Sequence, residues 1–180
     1  ILASAHVPTA ARTALRASIV NSGQACQSIE RVYVDRRIAD AFLTALVAAA
    51  QAVRLNHPDI QHGDIGPFIF ARQAEIVDAQ IKDALAKGAR LLTGGTVETL
   101  DGGLYLRPTV LVDVTPDMAV LAEETFGPVI PVTIFDDVDA AVAMANSGVF
   151  GLSAAVLAGT DGEAAAVARR LHCGAVSVND

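Results

Sequence analysis

Along the chain, hydrophobic positions alternate between two patterns: helical spacing of about 3.6 residues, and short unbroken apolar runs of strand length. Thr9 to Ser22 has the helical spacing, with Pro8 near its start, and Gly23 is placed to end that helix in a left-handed turn. Ile29 to Val34 is an apolar run. Arg36 to Leu55 is again helical, with Ile38, Phe42, Ala45, Leu46, Ala49 and Val53 on one face. A turn-rich stretch, Asn56 to Pro67, leads into a second long helix predicted over Phe70 to Lys87, apolar at Val77, Ile81, Ala84 and Leu85 and capped by Gly88.

The second half is built of shorter pieces. Ala89 to Thr93 reads as a strand. Gly94-Gly95 and Gly102-Gly103 flank a hairpin or surface excursion, and Leu104 to Val112 is extended, interrupted by Pro108. Val129 to Phe135 is a strand, followed by a helix that Asp136-Asp137 caps and that runs through Val138, Ala141, Val142 and Ala145. Leu152 to Leu157 and Ala175 to Val178 are strands. They bracket a helix predicted to be capped by Asp161 and apolar at Ala164, Val167, Ala168 and Leu171. Strands that alternate with helices of ten or more residues imply crossover connections. The expected class is therefore α/β, a largely parallel sheet with helices on both faces.

Composition narrows the picture. The 180 residues are 52% apolar and 18% charged, enough for one domain with a sizeable core. Aromatics are only 4% and Trp is absent, so the core must be aliphatic. A net charge of -7 with no basic stripe argues against nucleic-acid binding. It leaves a nucleotide cofactor open, because helix N-termini hold phosphates without Lys or Arg. No leader or apolar run of membrane-spanning length is evident, so no membrane partner and a cytoplasmic location are expected. The opening Ile1-Leu2-Ala3 reads as the tail of a strand already under way, and residues 1–180 are expected to be one domain of a longer chain. No Gly-x-Gly-x-x-Gly fingerprint follows a strand.

Two cysteines occur, Cys26 and Cys173. His57 and His62 share a solvated loop and His6 and His172 lie apart, so no metal site is expected. Cys26 ends Asn21-Ser22-Gly23-Gln24-Ala25-Cys26, on the loop between a helix and a strand, where a substrate can reach a thiol. Cys173, between His172 and Gly174 at a helix end, reads as packing.

Four segments together resemble the NAD(P)-dependent aldehyde dehydrogenase family, in the order found there. They are Asn21 to Cys26 with Arg31 five residues on, Glu123-Glu124-Thr125-Phe126-Gly127-Pro128-Val129, Asn146 to Ala154, and Gly174-Ala175-Val176-Ser177-Val178-Asn179. The resemblance implies a catalytic domain lacking most of the cofactor domain and the oligomerisation arm. It implies oxidation of an aldehyde to a carboxylic acid with NAD or NADP, through a cysteine thiohemiacetal and thioester, by a protein that is a homo-oligomer at full length. It assigns Cys26 as nucleophile, with its backbone N–H as a candidate oxyanion donor. Glu124 is assigned to the nicotinamide-side ribose and Phe126 to packing on that end of the cofactor. A CoA-dependent acylating member and a non-enzymatic relative of the same fold remain alternatives. By the same resemblance, the deacylating Glu and the side-chain oxyanion donor lie outside these residues, so the isolated chain is expected to be a poor dehydrogenase. Glu30 leads into the following strand and is expected to point away from Cys26. Asn179 is expected to brace a loop. Arg31 is either a source of positive potential or a solvated strand end.

Overall fold

A computed structural model describes all of residues 1–180. Its elements run α1 (Val7–Ile19), β1 (Val32–Asp35), α2 (Arg36–Gln51), α3 (Ala71–Ala86), β2 (Arg90–Thr93), β3 (Val97–Leu100), β4 (Gly103–Leu106), β5 (Thr109–Val112), α4 (Ala119–Ala122), β6 (Val129–Phe135), α5 (Val138–Asn146), β7 (Ser153–Val156), α6 (Asp161–Ala168) and β8 (Ala175–Val178). One sheet has the order β1-β6-β5-β2; its β1–β6 and β5–β6 pairs are parallel and its edge pair β2–β5 antiparallel. β7 and β8 form a separate parallel pair, and β3 with β4 an antiparallel hairpin.

The period-two alternation of a strand divides the core. On β5, Val110 and Val112 join Val32, Val34, Ile130 and Val132 in packing on α1 and α2 through Ala11, Ala14, Phe42 and Leu46. Leu111 and Val129 face the other way, against Val77, Ile81 and Ala84 of α3. A third cluster joins Leu2, Phe135, Ala141, Val156 and Ala164 around α5, α6 and β7. Helices therefore cover both faces, in agreement with the expected class. The short α4 was not predicted, and α1 stops at Ile19 instead of continuing to Ser22. Thr160, not Asp161, caps α6, its hydroxyl accepting the Glu163 N–H. Asp137 alone caps α5, while Asp136 pairs with Arg36.

Ile1 and Leu2 link the two sheets. The Ile1 amino group donates to the Tyr33 carbonyl at 2.8 Å, and the Asp35 N–H donates to the Ile1 carbonyl at 3.1 Å. On the other side, the Leu2 N–H donates to the Leu157 carbonyl at 2.9 Å. These two residues thus lie between the edge of β1 and the end of β7. Beyond them the facing edges of β1 and β7 are separated by a cleft of about 580 Å³.

Asp35 joins β1 to α2. It is 2% exposed, accepts the Arg37 N–H as N-cap at 3.0 Å, and binds the Arg37 guanidinium. The Arg37 contacts hold its carboxyl below the usual aspartate value. Its stabilisation is therefore complete above about pH 4 and is lost as pH falls through the lowered value. Asp35→Ala should destabilise the fold by about 0.5–2 kcal/mol through loss of the cap. Asp35→Asn should keep the cap acceptor but lose less stability than the parent between pH 7 and pH 3, as read by denaturant unfolding at the two pH values.

Candidate active site

The segment after α1 is shaped by backbone that side chains rarely tolerate. Asn21, Ser22 and Gly23 all have positive φ, at 51°, 59° and 72°. This sharp reversal ends the helix and turns the chain toward Cys26. It is pinned from two sides. Ser22 Oγ accepts the Gly66 N–H at 2.9 Å and donates to the Gly66 carbonyl at 3.2 Å. Gln24 donates to the Pro67 carbonyl at 3.2 Å and accepts the Ile69 N–H at 2.8 Å. Behind the loop, the Ile29 N–H returns to the Ala17 carbonyl at the end of α1. The Cys26 thiol is left exposed, and the Cys26 N–H makes no hydrogen bond within the chain.

Glu123 to Pro128 lies against this loop. A Cβ built on Gly23 would stand 2.3 Å from both the carbonyl carbon and the oxygen of Gly127, so the two backbones touch where only glycine fits. Phe126 has φ 48°, a left-handed conformation costing on the order of 1 kcal/mol in a non-glycine residue. Gln73 donates to the Thr125 carbonyl at 2.6 Å and Gln80 to the Glu124 carbonyl at 3.1 Å. The structure thus brings Cys26, Glu124 and Phe126 to one cleft, the one between β1 and β7. Glu124 is exposed and its carboxylate has no partner in the chain; Phe126 is half-buried.

Glu30 differs from expectation. Its side chain lines the same cleft as Cys26, and its Oε1 accepts the Thr125 N–H at 3.0 Å and the Phe126 N–H at 2.8 Å. Burial raises its pKa above the usual glutamate range; the two N–H groups pull it down, Glu124 pushes it up and Arg31 lowers it. The sequence signal was a carboxylate four residues past the cysteine, but nothing local marked where it turns. The Arg31 guanidinium lies 5.4 Å from the Phe150 ring centroid, a cation–π contact, and is no solvated strand end. Cys173 is half-buried and lines the same cleft. Asn179 accepts the Ala158 N–H and donates to Asp161, both at 2.8 Å, bracing the end of β8 as expected. No group of three or more His, Cys, Asp or Glu is placed to hold a metal ion. No helix is long and apolar enough to cross a membrane.

The site has the chemistry for nucleophilic attack in a largely apolar cleft: an accessible thiol, a free N–H beside it, an unpartnered carboxylate and an aromatic ring. Comparison with known proteins agrees with the sequence motifs. The model of the aldehyde dehydrogenase family matches residues 1–180. The NAD(P)+-dependent succinate semialdehyde dehydrogenase Sad of Escherichia coli K12 is 38% identical over 180 residues, covering 99% of this chain and 38% of its own length. The solved structure of PutA from Anabaena variabilis superposes with a TM-score of 0.97 at 47% identity, over 99% of this chain and 38% of that one. Betaine aldehyde dehydrogenase from Staphylococcus aureus, solved in complex with NAD+, gives 0.93 at 30% identity, over 99% and 36%. The chain therefore spans a little over a third of the length of these relatives.

The contact between the two loops predicts a sharp contrast between glycines. Gly23→Ala adds a methyl group against the Gly127 backbone at positive φ and should destabilise the fold by about 2 kcal/mol or more. Gly162→Ala, in the first turn of α6 with nothing within 4 Å, should be neutral or stabilising by up to about 1 kcal/mol. Urea unfolding of both variants checks this.

Proposed function

The chain belongs to the aldehyde dehydrogenase family, and from that premise we propose that residues 1–180 are the catalytic domain of an NAD(P)-dependent oxidoreductase that converts an aldehyde to a carboxylic acid. The observation that carries this is the exposed Cys26 thiol opening onto the cleft that also holds Glu124 and Phe126.

Once its proton has passed to the solvent that reaches it, the Cys26 sulfur attacks the aldehyde carbon. A C–S bond forms and the carbonyl π pair moves to oxygen. The Cys26 N–H, free of other acceptors, donates to that oxyanion. Collapse of the oxyanion re-forms the C=O bond and expels hydride, leaving a thioester on Cys26. A bound nicotinamide supplies the hydride acceptor. Water then adds to the thioester carbon, the C–S bond breaks, and the carboxylic acid leaves with the thiol restored. Sulfur suits both halves, being a good nucleophile and a good leaving group.

Glu124 and Phe126 fit such a cofactor by their chemistry. An unpartnered carboxylate accepts both hydroxyls of a ribose diol. The half-buried Phe126 ring next to it gives the flat nicotinamide end an apolar face. The 180 residues alone should turn over poorly, because relatives of the family carry far more chain.

In the protein at its full natural length, Cys26→Ala should lower NAD(P)-dependent aldehyde oxidation by about a thousandfold or more. Activity close to the parent's in that variant would overturn the assignment. Iodoacetamide should alkylate the exposed Cys26 several-fold faster than the half-buried Cys173, read by mass spectrometry of peptides; equal rates would count against an active thiol.

A further inference from the structure

We propose that Glu30 is a positioning residue whose carboxylate holds the Glu124–Phe126 turn, and with it both cofactor-facing side chains, at a fixed place relative to Cys26. The role deepens the dehydrogenase function proposed above and rests on it.

The geometry is specific. Glu30 and Cys26 lie on the same short connection between α1 and β1, four residues apart. Glu30 Oε1 accepts two consecutive backbone N–H groups of the neighbouring loop that leads into β6, those of Thr125 and Phe126. Phe126 is the residue in the left-handed conformation. Gln73 and Gln80 hold carbonyls of the same turn from α3. Glu30 holds its N–H groups from the nucleophile side. A turn whose N–H groups converge on one acceptor is kept from relaxing to the extended conformation that Phe126 would otherwise prefer. Losing the acceptor would also leave two N–H groups without a partner in a partly desolvated place.

Three acidic side chains meet here, and their partners differ. Glu123 is within 3.4 Å of Gln80, Glu30 is occupied by backbone, and Glu124 has no partner in the chain. Charge-assisted hydrogen bonds to Glu30 keep the Glu124 backbone from moving while leaving its carboxylate free for a ligand. The Gly23–Gly127 contact fixes the separation of the two loops; Glu30 fixes the conformation of the second.

Two measurements separate this proposal from the function it rests on. In the 180-residue chain, Glu30→Ala should speed hydrogen exchange of the Thr125 and Phe126 amides by about tenfold or more while core amides such as that of Val132 are unchanged. Glu30→Gln, which keeps an acceptor oxygen at the same reach, should restore most of the protection. Glu30→Asp, which keeps the charge but shortens the side chain, should not. Parent-like exchange in Glu30→Ala, or equal exchange in the Ala and Gln variants, would overturn the proposal whatever the protein catalyses. In the protein at full natural length, Glu30→Ala should raise the KM for NAD or NADP by about tenfold with kcat changed less than about threefold, and Glu30→Gln should recover it. A fall in kcat with KM unmoved would overturn the positioning role. A parent protein that oxidises no aldehyde would overturn the function and leave the exchange result standing.

Discussion

The Gly23–Gly127 contact is the constraint on which the site depends. Two loops from distant parts of the chain meet backbone to backbone, with no room for a single carbon between them. One carries the thiol and the other carries Glu124 and Phe126. The contact sets how closely the two loops approach, and the side chains of Gln24, Glu30, Gln73 and Gln80 hold the residues between it and the thiol or the carboxylate. The left-handed run Asn21-Ser22-Gly23 and the left-handed Phe126 are the two bends that bring these backbones together, and both are unfavourable in isolation.

The rest of the fold offsets those bends. Val110, Val112, Ile130 and Val132 lock β5 and β6 onto α1 and α2, which places the start of β6 just after Gly127-Pro128. α3, packed on the opposite face, sends Gln73 and Gln80 to the same turn. The polar contacts are few and local: Ser22 and Gln24 grip residues 66–69, and Glu30 grips residues 125 and 126. The scaffold is apolar and rigid, while the site is made of loops held by single side chains, which is why its residues remain exposed enough to meet a ligand.

Much of this was legible in the sequence because the signals were local. Helical spacing located α2 and α3 to within a few residues, and Gly88 marked the end of α3. The loop position of Cys26 followed from the helix before it and the apolar run after it. The differences between expectation and structure have separate physical causes. Helix α1 is shorter than its spacing predicts because Asn21 and Ser22 are left-handed, which a pattern of apolar positions does not report. At α6 the preferred cap type, Asp161, stands one residue inside the helix, and the neighbouring Thr160 hydroxyl does the capping. The orientation of Glu30 is hidden from the sequence because its partners lie 95 and 96 residues away, and no spacing rule reports a side chain that turns to a neighbouring loop from a distant part of the chain.

Ile1 and Leu2 are wedged between Tyr33 and Leu157. Their main chain ties the edge of β1 to the end of β7, so a change in either residue is felt in both sheets at once, on the wall of the trough onto which the thiol opens.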